Sequence, residues 1–119
     1  RPTVLVSLRS FTPVYAGVAR PWHIGTLYHR SPVLPHLLLS LLRAEGDLIV
    51  GDNEPYAVSD ITDYTIPVHG EARGLMNTGI EIRQDLIADE TGQAQWAKRL
   101  TRLFREIEAT LIAPQSSYA

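Results

Sequence analysis

The chain has no cysteine and a single lysine, Lys98. Without thiols there is no disulfide and no thiolate zinc site, so any metal has to be held by histidine and carboxylate. No apolar run reaches the roughly 20 residues that a membrane-crossing helix needs, so no membrane partner is expected. No signal-peptide pattern is visible, and a cytoplasmic location is the expectation. Charge of one sign is lacking too. Eleven basic residues against 13 acidic give 11 − 13 = −2, and no Lys/Arg cluster exists, which argues against nucleic acid as a partner. The other ten basic residues are arginines, side chains suited to bidentate pairing with carboxylates.

What is present is the make-up of one globular domain: 119 residues, 45% of them hydrophobic, too apolar for a disordered chain. Residues 3–8, Thr-Val-Leu-Val-Ser-Leu, read as a parallel strand covered on both faces. Ser10-Phe11-Thr12-Pro13 breaks it, and a loop with Gly17 follows. Residues 22–28 alternate as a second strand. Ser31 before Pro32 predicts a helix start, a capping hydroxyl with proline at the first helical position. That helix should run to about Glu45 with Leu34, Leu37, Leu38, Leu41 and Leu42 buried, and end at Gly46. Residues 47–51 predict a short strand that delivers Asn53 to Tyr56 at its carboxyl end. Residues 57–66 are polar and irregular, with Asp60–Tyr64 as loop. One or two helical turns around His69 should close at Gly74. A strand over 77–83 and a long helix from Asp89 or Thr91 to about Ile112 complete the pattern, with Ala97, Leu100, Phe104, Ile107 and Leu111 as the helix's apolar face. The tail 114–119 is expected to fray.

Strands alternating with helices predict an α/β fold, a mixed and mostly parallel sheet flanked by helices in three layers. The sequence opens directly into a strand that reads as central. One α/β domain over 1–119 is expected, forming the C-terminal portion of something larger.

The most informative stretch is 77–83. Ile80 and Ile82 point one way and Glu81 and Arg83 the other. A carboxylate on a strand that otherwise reads as buried is costly unless it is paired or used. Open α/β folds place sites at the carboxyl ends of strands. Glu81 is therefore the first candidate for chemistry, with a structural ion pair to some arginine as the plain alternative.

Ser10-Phe11-Thr12-Pro13, Arg20-Pro21-Trp22-His23-Ile24-Gly25, Gly51-Asp52-Asn53-Glu54-Pro55-Tyr56, His69-Gly70-Glu71, Arg73-Gly74-Leu75 and Glu81 to Ile87 occur in that order. Together they resemble the C-terminal half of the N-formylglutamate amidohydrolase family, whose fold is similar to that of zinc carboxypeptidases. The resemblance implies hydrolysis of an amide in a small acidic acyl-amino acid by a zinc-bound water, with a strand glutamate taking the proton. Glu81 matches that position.

Tyr56, Asn53, Arg20, His69 and Arg83 are candidates for contact with the substrate. Arg83 could clamp its carboxylate, orient Glu81 or tie down Asp85; His69 could equally be a surface or capping residue. Glu54 could pair with Arg20 or Arg83. Trp22 and Trp96 are expected to bury apolar area.

The sequence departs from the family at residue 9. The resemblance implies a histidine zinc ligand there, and the chain has Arg9, which offers donors only and cannot coordinate a metal. His23, His29, His36 and His69 form no paired ligand motif, so no metal ligand is assigned, and the zinc of the complete family member is in doubt here. Three explanations stay open: a piece of a longer enzyme, a homologue that has lost its metal, or an Arg9 that replaces the metal's charge and binds an anion. The last belongs to an alternative reading, a metal-free module in which Arg9, Arg20 and Arg83 gather around a carboxylate. An open sheet edge would also favour self-association.

Overall fold

A computed structural model describes residues 3–57, 63 and 65–112. Most of the expected loop over 60–64 and the whole expected frayed tail lie outside the described residues. The order is β1 (Val4–Phe11), a small hairpin of β2 (Val14–Tyr15) and β3 (Val18–Ala19), β4 (Ile24–Leu27), α1 (Val33–Ala44), β5 (Val50–Asp52), helical turns over Thr65–Gly70 and Glu71–Arg73, β6 (Met76–Arg83), a 3-10 turn (Gln84–Ile87) and α2 (Glu90–Leu111). The main sheet runs β1-β6-β4-β5. β1 is parallel to β6 and β4 to β5, while β4 and β6 are antiparallel. The fold is the expected α/β type with a mixed, mostly parallel sheet.

Side-chain alternation divides this sheet into two unlike faces. Ile24, Val50, Ile80 and Ile82 face one side and join Leu34, Leu38, Leu39 and Leu42 of α1 and Trp96, Leu103 and Ile107 of α2 in one core. Full burial of a leucine contributes about 1.5–3 kcal/mol, so the leucine stripe of α1 alone anchors that helix. The opposite face carries Glu81, Gly25, Gly79 and Leu27. It is covered by the segment between β5 and β6, where Leu27 meets Ile66 of the first helical turn. Both long helices thus lie on the apolar face, and only short turns cover the other. No described helix is long and apolar enough to cross a membrane.

Several expectations change. β1 is an edge strand of the described sheet rather than a central one. Leu8 is 60% exposed and Val6 36%. Val4 packs against the core, while Val6 and Leu8 on the same face stay exposed, so the apolar run is not covered on both sides. β1 also continues through Ser10 to Phe11, and the expected loop contains the β2–β3 hairpin, turned at Ala16 and Gly17 with φ of 51° and 78°. Ser31 does not cap α1; Pro32 occupies the cap position without a side-chain bond. Asp89 does cap α2, its Oδ1 accepting from Gly92 N at 2.8 Å. The buried face of α2 is set by Trp96, Leu103 and Ile107, and Ala97 is exposed. β5 spans Val50–Asp52 rather than 47–51; just before it, Ile49 N donates to His23 Nδ1 at 2.8 Å and His23 N donates to Ile49 O at 2.9 Å.

The path after β5 positions the site. Asn53, at φ 57°, reverses the chain, its N donating to Thr26 O at 2.9 Å and its Oδ1 accepting from Tyr28 N at 2.8 Å. Glu54 and Pro55 then fold back over the sheet, directly above Gly25 and Gly51, which are neighbours in the β4–β5 register. A Cβ on Gly25 would lie 1.8 Å from Glu54 O, and one on Gly51 would lie 2.7 Å from Glu54 Cβ. Backbone cannot yield by that much, so Gly25→Ala is expected to destabilise the domain by about 1–3 kcal/mol or more. The check is the urea midpoint; an unchanged midpoint would mean that the turn does not rest on Gly25.

Candidate active site

Glu81 belongs to a row that crosses the sheet. Arg9 on β1 is its register partner on one side and Gly25 on β4 its partner on the other, with Gly51 on β5 beyond. Paired positions share a face, so a cation, a carboxylate and two bare backbone positions stand side by side. The two glycines admit the Glu54–Pro55 turn, and the turn brings Tyr56 over Glu81. Tyr56 Oη donates to Glu81 Oε1 at 2.7 Å. Glu81 is only 3% exposed. Among the described residues it makes no ion pair, so the plain alternative of an Arg–Glu bridge does not hold there.

Ser7, Arg9, Leu27, Tyr56, Asp63, Thr65, Ile66, Gly79, Ile80 and Glu81 line a cavity of about 20 Å³, room for a single water molecule. The carboxyl group therefore borders a space, and residue 9 borders the same one. Burial pushes the Glu81 carboxyl above its usual range, and Asp63 adds to the rise; the Tyr56 hydrogen bond and the positive charges of Arg9 and Arg20 pull the other way. Tyr56 is pushed up to about 12, first by burial and then by the bond to Glu81 and the negative charge it faces. The phenol stays protonated at neutral pH and serves as a donor. A carboxyl group whose proton affinity is raised, bordering a water-sized space, is chemically a candidate proton acceptor.

The remaining candidates sort differently. Arg83 gives its Nε and Nη2 to Asp85 at 2.7 and 3.1 Å and its Nη1 to the carbonyls of Arg20, Pro21 and Trp22 at 3.3–3.4 Å. It ties the start of the Gln84–Ile87 turn to the strand before it and does not border the cavity. Asn53 is spent on its turn. His69 sits on the helical turn over Thr65–Gly70 and is absent from the cavity wall. Arg20 stacks its guanidinium over Tyr15 and Phe11, 4.7 and 5.8 Å from the ring centres. Glu54 pairs with neither arginine among the described residues; its backbone, not its charge, is what the site uses. Trp96 buries apolar area as expected, and Trp22 is half-buried beside Gly51. Asp63, Ser7 and the Gly25–Gly51 pair were not foreseen. The glycines could have been found by placing the predicted strands in register; Asp63, in an irregular stretch, carries no local signal.

Residues 1–88 match the N-formylglutamate amidohydrolase family. The chain belongs to that family. It is also similar to the crystal structure of gene product Atu2144 from Agrobacterium tumefaciens, at 38% identity and a TM-score of 0.77 over 89% of this chain. The match covers 42% of that structure's chain, so this sequence spans less than half its length. No curated protein matches the sequence.

Among the described residues no three His, Asp or Glu side chains converge where they could hold a metal ion. Arg9 borders the cavity at the position where the family resemblance implies a histidine ligand. The residues described here therefore do not fit a zinc site.

Tyr56→Phe removes the one hydrogen-bond donor that the buried carboxylate has among the described residues. That bond favours the charged form, so its loss is expected to raise the Glu81 pKa further. Titration of the side-chain carboxyl carbons by NMR measures both values. A carboxyl whose native pKa exceeds its unfolded value makes the native state bind more protons, so its contribution to stability falls as pH rises from the unfolded value to the native one. Glu81→Gln should abolish that component; an unchanged pH slope between the two proteins would contradict the burial argument.

Proposed function

We propose that this chain carries the proton-transfer face of an amidohydrolase that cleaves an N-acyl amino acid, with N-formylglutamate, the substrate its family is named for, as the first candidate. The family membership supports amide hydrolysis. The observation that carries the assignment to this face is the Glu81 carboxylate, 3% exposed, held by Tyr56 and bordering a space for one water.

The chemistry assigned to these residues is short. Glu81 takes a proton from water as its oxygen attacks the formyl carbon. The C–N bond then breaks, and Glu81 returns the proton to the leaving amine, giving formate and the free amino acid. Burial raises the proton affinity of the carboxyl, and Tyr56 engages one of its two oxygens, Oε1. Zinc, which the family resemblance implies, would need ligands from polypeptide beyond the described residues, and no step is assigned to it.

Formate release from N-formyl-L-glutamate by the polypeptide carrying this chain tests the reading. Glu81→Gln is expected to lower kcat by about 10²–10⁴-fold with little change in KM. Turnover that survives this substitution removes Glu81 from the chemistry.

A further inference from the structure

Arg9 is the residue least explained by a hydrolytic base alone. It stands beside Glu81 in the strand register, on the same sheet face, and borders the same cavity. Among the described residues it makes no ion pair, although Glu81 and Asp63 line the space with it. Arg20 approaches from the loop after β3. It is held by stacking on Tyr15 and Phe11, its charge is felt by Glu81, and it likewise lacks an acidic partner among the described residues. Two guanidinium groups thus stand near one buried carboxylate without being neutralised by it.

A structural role would predict the opposite arrangement, with Arg9 closed onto Glu81 as a buried bridge. Instead Glu81 spends its hydrogen bond on a phenol, and Arg9 keeps an exposed side. Guanidinium is always charged and presents paired N–H donors that match a carboxylate in its plane. Repulsion from Glu81 and Asp63 disfavours an anion inside the water-sized cavity, so an incoming carboxylate meets Arg9 on its exposed side.

We propose that Arg9 forms a binding subsite for a substrate carboxylate next to Glu81, so that residue 9 supplies a fixed positive charge instead of a metal ligand. This rests on reading the Glu81 face as the substrate face. The acid group of an acyl-amino acid on Arg9 would set its amide over Glu81, and the binding would need no metal.

The test is calorimetric titration of the 119-residue chain with glutarate, a dicarboxylate with no amide to cleave, in low salt and excess EDTA. Saturable binding is expected, weakening as salt is added. Arg9→Gln should weaken it about 10- to 100-fold, the worth of a lost charge-assisted pair, and Arg9→Lys should recover part. Glu81→Gln should bind glutarate at least as tightly as the native chain, because a nearby negative charge is gone. Circular dichroism of each variant confirms that it folds. Absence of saturable binding in EDTA, or equal affinity in Arg9→Gln and the native chain, overturns the subsite and leaves the assignment of Glu81 intact. Unchanged turnover in Glu81→Gln, with glutarate binding retained, removes the base and leaves the subsite standing.

Discussion

A carboxylate buried in the middle of a four-stranded sheet is the constraint to which the rest of the structure answers. Taking an ionised acid out of water costs several kcal/mol unless charge and hydrogen bonds replace the lost hydration. Around Glu81 the replacement is partial: one phenol in contact and two guanidinium groups at a distance. The net effect remains a raised pKa, so desolvation prevails over the attractions. That imbalance is tolerable only because β6 is fixed on all other counts. It is paired on both edges, and Ile80 and Ile82 are locked into the core beneath it. The strand holds the acid in place at a cost that the apolar face offsets.

The two-residue period of a strand makes this division of labour strict. A slip of one residue along β6 would turn Ile80 and Ile82 toward Tyr56 and drive Glu81 and Arg83 into the leucines of α1. Register is therefore set by the apolar face and inherited by the polar one. Across the row the same logic reaches Gly25 and Gly51, where any side chain would collide with Glu54. The glycines let a chain segment lie flat on the sheet, so a tyrosine delivered from the far end of β5 returns to meet an acid near the carboxyl end of β6. The site is thereby assembled on the face of the sheet rather than at the mouth of its strands.

Much of this is legible in the sequence. The leucine spacing of α1, the Asp89 cap and the alternation over 77–83 each encode their element locally, and Glu81 stood out because a charge interrupted an apolar strand. What was not legible has a common cause. Whether β1 lies at the centre or the edge depends on its neighbours, and Val4-Leu5-Val6 reads the same in either place. Arg83 beside Glu81 in sequence looked like a partner in the site, yet its reach to Asp85 two residues on is shorter. Ser31 offered a good cap by composition, but the chain enters α1 through Pro32 with no side-chain bond to the helix end. Asp63 lines the site from an irregular stretch, a placement that no window of neighbouring residues can register.

The separation between Arg9 and Glu81 decides what the acid can do. Were the guanidinium in contact, the pair would be a buried bridge, the carboxylate would hold its charge well below neutrality, and a proton could be gained only by breaking the bridge. At a distance, the same cation tempers the desolvation without abolishing it, so the acid keeps a raised pKa, and among the described residues only one of its oxygens is engaged. Tyr56 is the better contact for that purpose, because a neutral donor fixes geometry while shifting the proton affinity less than a full charge does. A positive charge on the register partner then has a reason to be arginine: it can stay ionised beside a basic carboxylate whatever the pH, which a histidine in the same place could not.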